Sequence, residues 1–194
     1  MRTWKEIVAA NPEHSENYAQ RWKSFVAEGK DINGEARFVD AMAPRGARIL
    51  DAGCGTGRVG GELARLGHRV TGVDIDPTLI GHAESQFADC AWIVGDLAAG
   101  EVPEGPYDVI VSPGNVITFL APAGRVPALR AMAGQLADGG RLVIGFGTDR
   151  GYHYRQFLED CASVGLQESL LLSTWDLKPF SPQSGFLIAV LERA

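Results

Sequence analysis

The chain has 194 residues, a formal net charge of −6 and 45% hydrophobic residues. These values describe a folded domain with a sizeable core rather than a disordered segment. The acidic balance, with no long Lys/Arg run, argues against a nucleic-acid partner. No window approaches the ~20 apolar residues of a membrane span, and the N-terminus lacks an apolar core followed by a cleavage site. The three cysteines, Cys54, Cys90 and Cys161, are widely spaced and form no C-x-x-C or Cys/His cluster. The expectation is a cytoplasmic protein with no disulfide framework and no metal site.

Residues 1–46 read as a helical extension. Tyr18, Trp22, Phe25 and Val26 fall at i, i+4, i+7 and i+8, with Ser15 as the cap and Gly29 as the stop. A second short helix over 34–43 carries Phe38, Val39 and Met42 and ends before Pro44. Residues 47–194 alternate strand and helix. A strand over 48–51 runs into a glycine-rich turn, and Val59, Leu63 and Leu66 mark the next helix face. After a strand over 69–74, Asp76 and Pro77 form an N-cap followed by proline at the first helical position, with Leu79, Ile80, Ala83 and Phe87 as the apolar stripe. Strands over 91–95 and 107–112 follow, joined by a link with room for only a rudimentary helix. Next come a helix over 124–137 with Leu129, Met132, Ala133 and Leu136 inward, a turn at Asp138-Gly139-Gly140, and a strand over 141–146. A helix over 154–164 shows Phe157, Leu158 and Cys161. The strand-like runs 167–175 and 185–191, with no helix between them, predict an antiparallel hairpin closing one edge. The fold expected is α/β: a Rossmann-like, mostly parallel sheet with helices on both faces.

The turn at 51–57 reads D-A-G-C-G-T-G. Gly53, Gly55 and Gly57 allow tight bending and close backbone approach to a ligand, and the following helix start offers free N–H groups. Asp74 closes the second strand about 20 residues on, where a carboxylate accepts both ribose hydroxyls in dinucleotide folds. Asp96 follows the third strand in V-G-D-L and is placed to accept from an exocyclic amine such as that of adenine. The overlapping run G-T-G-R-V-G at 55–60 also fits a nicotinamide-dinucleotide fingerprint. Asp51 inside the turn, where it would meet a ligand amino group rather than a pyrophosphate, Asp96, and the short chain length favour a nucleoside with a free ribose instead.

On these residues the chain resembles the class I S-adenosylmethionine-dependent methyltransferases over roughly 47–191. I-L-D-A-G-C-G-T-G, V-D-I-D at 73–76, G-D-L at 95–97, Y-D-V-I-V-S at 107–112 and L-A-D-G-G-R-L-V-I at 136–144 match that family's motifs in order. The resemblance implies a seven-stranded sheet with an antiparallel last strand. It also implies S-adenosyl-L-methionine as cofactor, with S-adenosyl-L-homocysteine as product, and methyl transfer by in-line displacement to a small molecule. Asp51, Gly53 and Gly55 would line the methionine part, Asp74 would hold the ribose, and Ile75 would pack on adenine. Asp96 and Leu97 would bind the adenine edge, and the loop from Ser112 to Asn115 would face the sulfonium. A nicotinamide-dependent oxidoreductase and a non-catalytic nucleoside-binding module are the alternatives.

Methyl transfer needs a base only where the acceptor must lose a proton before attack. His153, in G-Y-H-Y after the fifth strand, is the candidate base, against the alternative of a solvated loop histidine. Asn115, in S-P-G-N, either orients a substrate or stabilises its turn. Tyr18 and Trp22 either cover the cofactor or dock their helix. Arg21 and Arg58 either meet the cofactor carboxylate or face solvent. Residues 175–183, W-D-L-K-P-F-S-P-Q, either wall the acceptor pocket or stiffen a long loop.

Overall fold

The computed structural model describes residues 2–194. Three helices open the chain: α1 (Trp4–Ala10), α2 (His14–Ala27) and α3 (Gly34–Met42). Then come β1 (Arg48–Ala52), α4 (Arg58–Arg65), β2 (Arg69–Asp74), α5 (Pro77–Gln86) and β3 (Ala91–Val94). A single 3-10 turn, Leu97–Ala99, is the rudimentary helix expected before β4 (Tyr107–Ser112). The chain finishes with α6 (Val116–Phe119), α7 (Pro122–Gly134), β5 (Leu136–Gly147), α8 (Tyr154–Ser163), β6 (Leu166–Leu172) and β7 (Phe186–Arg193).

The seven strands form one sheet in the order β3-β2-β1-β4-β5-β7-β6. β1 to β5 pair in parallel, and β7 is antiparallel to both of its neighbours. Alternate residues of each strand face opposite layers. Leu50, Ile110, Leu142 and Ile144 pack with Leu129, Met132, Phe157 and Cys161 of α7 and α8. Ile49, Val109, Val111 and Val143 pack with Phe38 and Val39 of α3 and with Val59 and Leu63 of α4. The chain steps from β1 to β2 on one side and returns to β4 on the other. A crevice therefore opens over the carboxyl ends of β1 and β4, where open α/β sheets bind ligands.

Five details depart from the sequence expectations. The helix α1 was not foreseen, although Thr3 and Glu6 form a capping box in T-W-K-E. Ser15 does not cap α2. The N-cap residue is Glu13, which makes no side-chain cap bond, and Ser15 lies buried in the first turn. Leu136 is strand rather than helix: Gln135 accepts from Tyr107 N through its carbonyl and from Gly105 N through Oε1, so the sheet captures the backbone just after Gly134. The expected turn at Asp138-Gly139-Gly140 is a kink inside β5, where the register with β4 shifts between Tyr107 and Val109. Val26 and Leu66, placed on apolar stripes, are exposed because each lies at the end of its helix.

Asp76 joins three helices. One carboxylate oxygen caps α5 by accepting from Thr78 N and Leu79 N. The other accepts from Trp4 Nε1 at 2.8 Å and from the Ser15 hydroxyl. Both α1 and α2 thus dock on the same buried acid that starts α5. The change Asp76→Ala removes the cap and leaves the Ser15 hydroxyl and the Trp4 indole N–H without their acceptor. It should cost about 2–4 kcal/mol, read as a lowered urea midpoint, whereas a change confined to the exposed Glu84 should leave that midpoint in place.

Candidate active site

Two cavities meet over the crevice. The first, about 250 Å³, lies above the ends of β1, β2 and β3. Its floor is Gly53, Gly55, Asp74, Ile75, Asp96 and Leu97, and its roof is Trp4 and Lys5 of α1 with Phe119 of α6. The second, about 260 Å³, lies between α2, α3 and the start of α4 and is lined by Arg21, Trp22, Glu35, Asp51, Arg58 and Asn115, among others. Tyr18, Gly53, Gly114 and Val116 line both, so these four residues form a neck between them.

The glycine turn is shaped by its neighbours. Gly53, Gly55 and Gly57 all have positive φ, at 83°, 54° and 75°. A Cβ at Gly53 would run into the Val116 side chain, and one at Gly57 would lie 2.9 Å from Ala83 and Trp92. The turn is tied to β2 through Asp74, whose two carboxylate oxygens accept from Gly55 N at 2.8 Å and Asp76 N at 2.9 Å. Asp51 is fully buried. Its Oδ2 accepts from Gly60 N at 2.8 Å, while its Oδ1 has no partner. Burial pushes the Asp51 carboxyl up to about 7 and the Asp74 carboxyl up to about 6, despite the backbone N–H groups that pull both down.

Asp96 is bound on both oxygens, by Ala98 N at 2.9 Å and by Lys5 Nζ at 2.7 Å. Burial raises its carboxyl, but the Lys5 ammonium and the Ala98 N–H outweigh that and hold it below the usual range. Arg58 is not solvent-facing: it pairs with Glu35 at 2.6 Å and 3.0 Å, donates to the Ile32 carbonyl, and lies 4.2 Å over the Trp22 ring. Arg21 sits over the Tyr18 ring at 5.0 Å.

Of the other sequence candidates, Ser112 is buried at the end of β4, its Oγ has no partner, and it lines neither cavity. Asn115 has a φ of 76°, and its Oδ1 accepts from Gly147 N at 2.7 Å, so its side chain braces the β4 loop against β5. His153 is exposed, caps α8 by accepting from Arg155 N at 3.3 Å, and lines neither cavity. Trp175 packs on Phe38 and Phe186, in the layer beneath β5 rather than at the crevice. Thr3, Trp4, Lys5, Glu35 and Phe119 line the cavities and were not singled out from the sequence. For the α1 residues, the capping box was the signal that pointed to a helix there.

Residues 49–140 match the methyltransferase-domain family. A solved TehB-like S-adenosylmethionine-dependent methyltransferase from Corynebacterium glutamicum is 53% identical, covering 95% of this chain and all of that one, with a TM-score of 0.92. The chain belongs to the S-adenosylmethionine-dependent methyltransferases. Membership in this family, with S-adenosylmethionine as cofactor, decides against the dinucleotide reading of residues 55–60. An uncharacterised methyltransferase of Mycobacterium tuberculosis strain H37Rv is 35% identical, over 55% of this chain and 54% of its own length. A magnesium-protoporphyrin O-methyltransferase of Rhodobacter capsulatus is 34% identical, over 64% of this chain and 56% of its own. The chain therefore spans about half the length of the curated relatives it matches.

The raised carboxyls make stability pH-dependent. In the unfolded chain Asp51 and Asp74 ionise near their ordinary value of 3.8, but in the fold they keep their protons up to about 7 and about 6. Their contribution is therefore complete below pH 4 and is lost as pH rises through 6 and 7. The lowered carboxyls of Asp40 and Asp96 act below pH 4 and leave this window alone. Without cofactor, the urea-unfolding free energy should fall by about 2–4 kcal/mol between pH 5 and pH 7.5. Asp51→Asn should flatten most of that slope, and an equally steep variant would contradict the assignment.

Proposed function

We propose that this chain is a methyltransferase that moves a methyl group from S-adenosylmethionine to a small-molecule acceptor in the cytoplasm. The observation that carries the reading is the unpartnered Oδ1 of buried Asp51, in a polar cavity continuous with an apolar one floored by Asp74 and Ile75. A buried acceptor without a donor is costly unless a ligand supplies one. An ammonium beside Asp51 meets that need, with Arg58 and Arg21 available to the neighbouring carboxylate. Asp74 then accepts from the ribose hydroxyls, Ile75 and Leu97 flank the adenine, and Asp96 takes its exocyclic amine. The bound cofactor supplies an electrophilic methyl on a positively charged sulfur.

The chain's own contribution is chiefly to position and enclose. Residues 1–46 act as a cap over the core of 47–194, with Trp4 and Lys5 as a roof that excludes water. Asn115 keeps the β4 loop in register with the acceptor side. His153 faces solvent and has no part in this scheme. The three free cysteines accord with a reducing compartment. No helix of the described residues is long and apolar enough to cross a membrane. The name of the Rhodobacter relative points to a small-molecule acceptor, and the net charge of −6 speaks against a nucleic acid.

Incubating the protein with methyl-labelled cofactor and a small-molecule cell extract should move label into the low-mass fraction. Cofactor binding without any transfer would point to a binding module instead. Asp74→Ala should weaken S-adenosylhomocysteine binding by about 10–100-fold, through the loss of charge-assisted hydrogen bonds; unchanged affinity would remove Asp74 from the site. An ammonium favours the ionised form of Asp51, so wild-type affinity for S-adenosylhomocysteine should rise from pH 5.5 to pH 8. In Asp51→Asn that rise should shrink, and a rise of the same size would show that some other group sets it.

A further inference from the structure

A third cavity, about 500 Å³, lies over the segments that follow β4 and β5. Phe119 of α6, Arg150 of the loop before α8, Ile7 of α1 and His14 of α2 line it, with Arg2 and Asn11. Phe119 lines both this cavity and the one floored by Asp74, so it is a shared wall. Trp4 braces that wall, edge-on to Phe119 at 5.7 Å and to His14 at 5.1 Å.

In a chain of net charge −6, no carboxylate lines this cavity. Its charged lining consists of Arg2 and Arg150, and neither guanidinium makes an ion pair among the described residues. Asn11 adds an amide donor, because its Oδ1 already accepts from Glu13 N at 3.2 Å. The acids close by in sequence do not fill the gap. Glu6 accepts from the Thr3 N–H and hydroxyl, and Asp149 is exposed. The Arg150 side chain lies along the end of β5, where a Cβ at Gly147 would stand 3.3 Å from its Nε and 3.4 Å from its Cδ. The next residue is held from behind by Arg125 of α7, which is only 8% exposed and donates to the Gly151 carbonyl at 3.4 Å. The Arg125 guanidinium lies 4.2 Å over the Tyr152 ring, and its Nε has no partner. Asp160, bound to that tyrosine, is taken up by the Tyr152 hydroxyl at 2.6 Å and by Gln156 at 3.0 Å. Cations gathered without acids at one opening create a positive potential that favours an anion. Ile7 and Phe119 beside them offer an apolar surface.

We propose that this cavity receives the methyl acceptor, and that the acceptor is a small organic acid: Arg150 and Arg2 hold its carboxylate, and Ile7 and Phe119 pack against its apolar body. The step rests on the methyl-transfer reading above. A carboxylate forked by guanidinium has its lone pairs engaged, so another atom of the acid is the nucleophile. The lone pair of that atom forms the new bond to the methyl carbon, the electrons of the broken C–S bond stay on sulfur, and any proton on the accepting atom passes to water. The methylated product therefore keeps its negative charge.

Phenylacetate, its neutral isostere phenylacetamide and inorganic sulfate are the probes, titrated calorimetrically into wild-type protein at low salt. Phenylacetate should bind about tenfold more tightly than phenylacetamide, through charge-assisted hydrogen bonds, and more tightly than sulfate, through its ring. Arg150→Gln should remove most of the preference over phenylacetamide while leaving the urea midpoint in place. Phe119→Ala should weaken phenylacetate and phenylacetamide alike. Equal or undetectable binding of these two at millimolar concentration overturns the proposal. So does an Arg150→Gln protein that keeps the wild-type preference, or sulfate that binds as tightly as phenylacetate. In the extract incubation described above, the labelled product should be retained on an anion exchanger, and label found only in unretained molecules overturns the acceptor class. Label that moves nowhere, in a protein that still prefers phenylacetate, overturns the methyl-transfer reading instead and the acceptor role with it, so the two failures are distinguishable.

Discussion

Three carboxylates at the ends of β1 and β2 hold the crevice open, and each does so by accepting backbone N–H groups that the chain would otherwise leave unpaired. Asp51 accepts from the first turn of α4, Asp74 from the glycine turn and from its own loop, and Asp76 from the first turn of α5. Glycines without side chains let these N–H groups come close. The acids in turn fix a backbone that its positive φ values leave conformationally open. The arrangement opposes the ordinary preference of a carboxylate for water, and the raised Asp51 and Asp74 carboxyls measure that opposition. A ligand carrying donors to Asp51 and Asp74 relieves the strain, so the same groups that reduce stability at neutral pH favour binding.

The N-terminal helices extend this scaffold rather than sit beside it. α1 has no buried residue of its own, so it cannot hold its place by hydrophobic burial alone. It is fastened by Trp4 to Asp76 and by Lys5 to Asp96, acids just beyond the ends of β2 and β3. The Lys5–Asp96 pair is exposed at its lysine end and is correspondingly weak. The Trp4–Asp76 bond is shared with the Ser15 hydroxyl and is better shielded. The roof is therefore anchored more firmly at its α2 side than over Asp96.

How much of this was legible in the sequence follows from which forces were local. Asp51, Gly53, Gly55, Asp74, Ile75, Asp96 and Leu97 all line the cavities, because each is placed by a strand end or turn whose pattern is written in adjacent residues. The antiparallel hairpin of β6 and β7 was legible for the same reason. Positions set by distant partners were not. Ser15 has the composition of a cap but is drawn to Asp76, 61 residues away. Leu136 continues the helical stripe of α7, yet pairing with Tyr107 converts it to strand. Trp175 opens a proline-rich run that reads equally as a pocket wall or a stiffened loop, and only the packed positions of Phe38 and Phe186 explain why it turns inward. Ser112 ends its strand as expected, but the loop beyond it turns Gly114 rather than the serine toward the cavities.

The width of the neck is set by three strands together. Asn115 adopts a left-handed conformation at the end of β4, where its backbone N–H donates to the Gly145 carbonyl and its side chain accepts from Gly147 N. These two bonds to β5 fix the start of α6 and so press Val116 against Gly53 at the end of β1. A neck framed by hydrogen bonds to the β5 backbone is held more closely than one framed by mobile side chains. A larger residue at Gly53 would meet both an unfavourable φ and Val116, and the loop could yield only by breaking the Asn115 bonds. The glycine turn thus does more than leave room for a ligand: with β4 and β5 behind it, it sets the width of the neck between the two cavities.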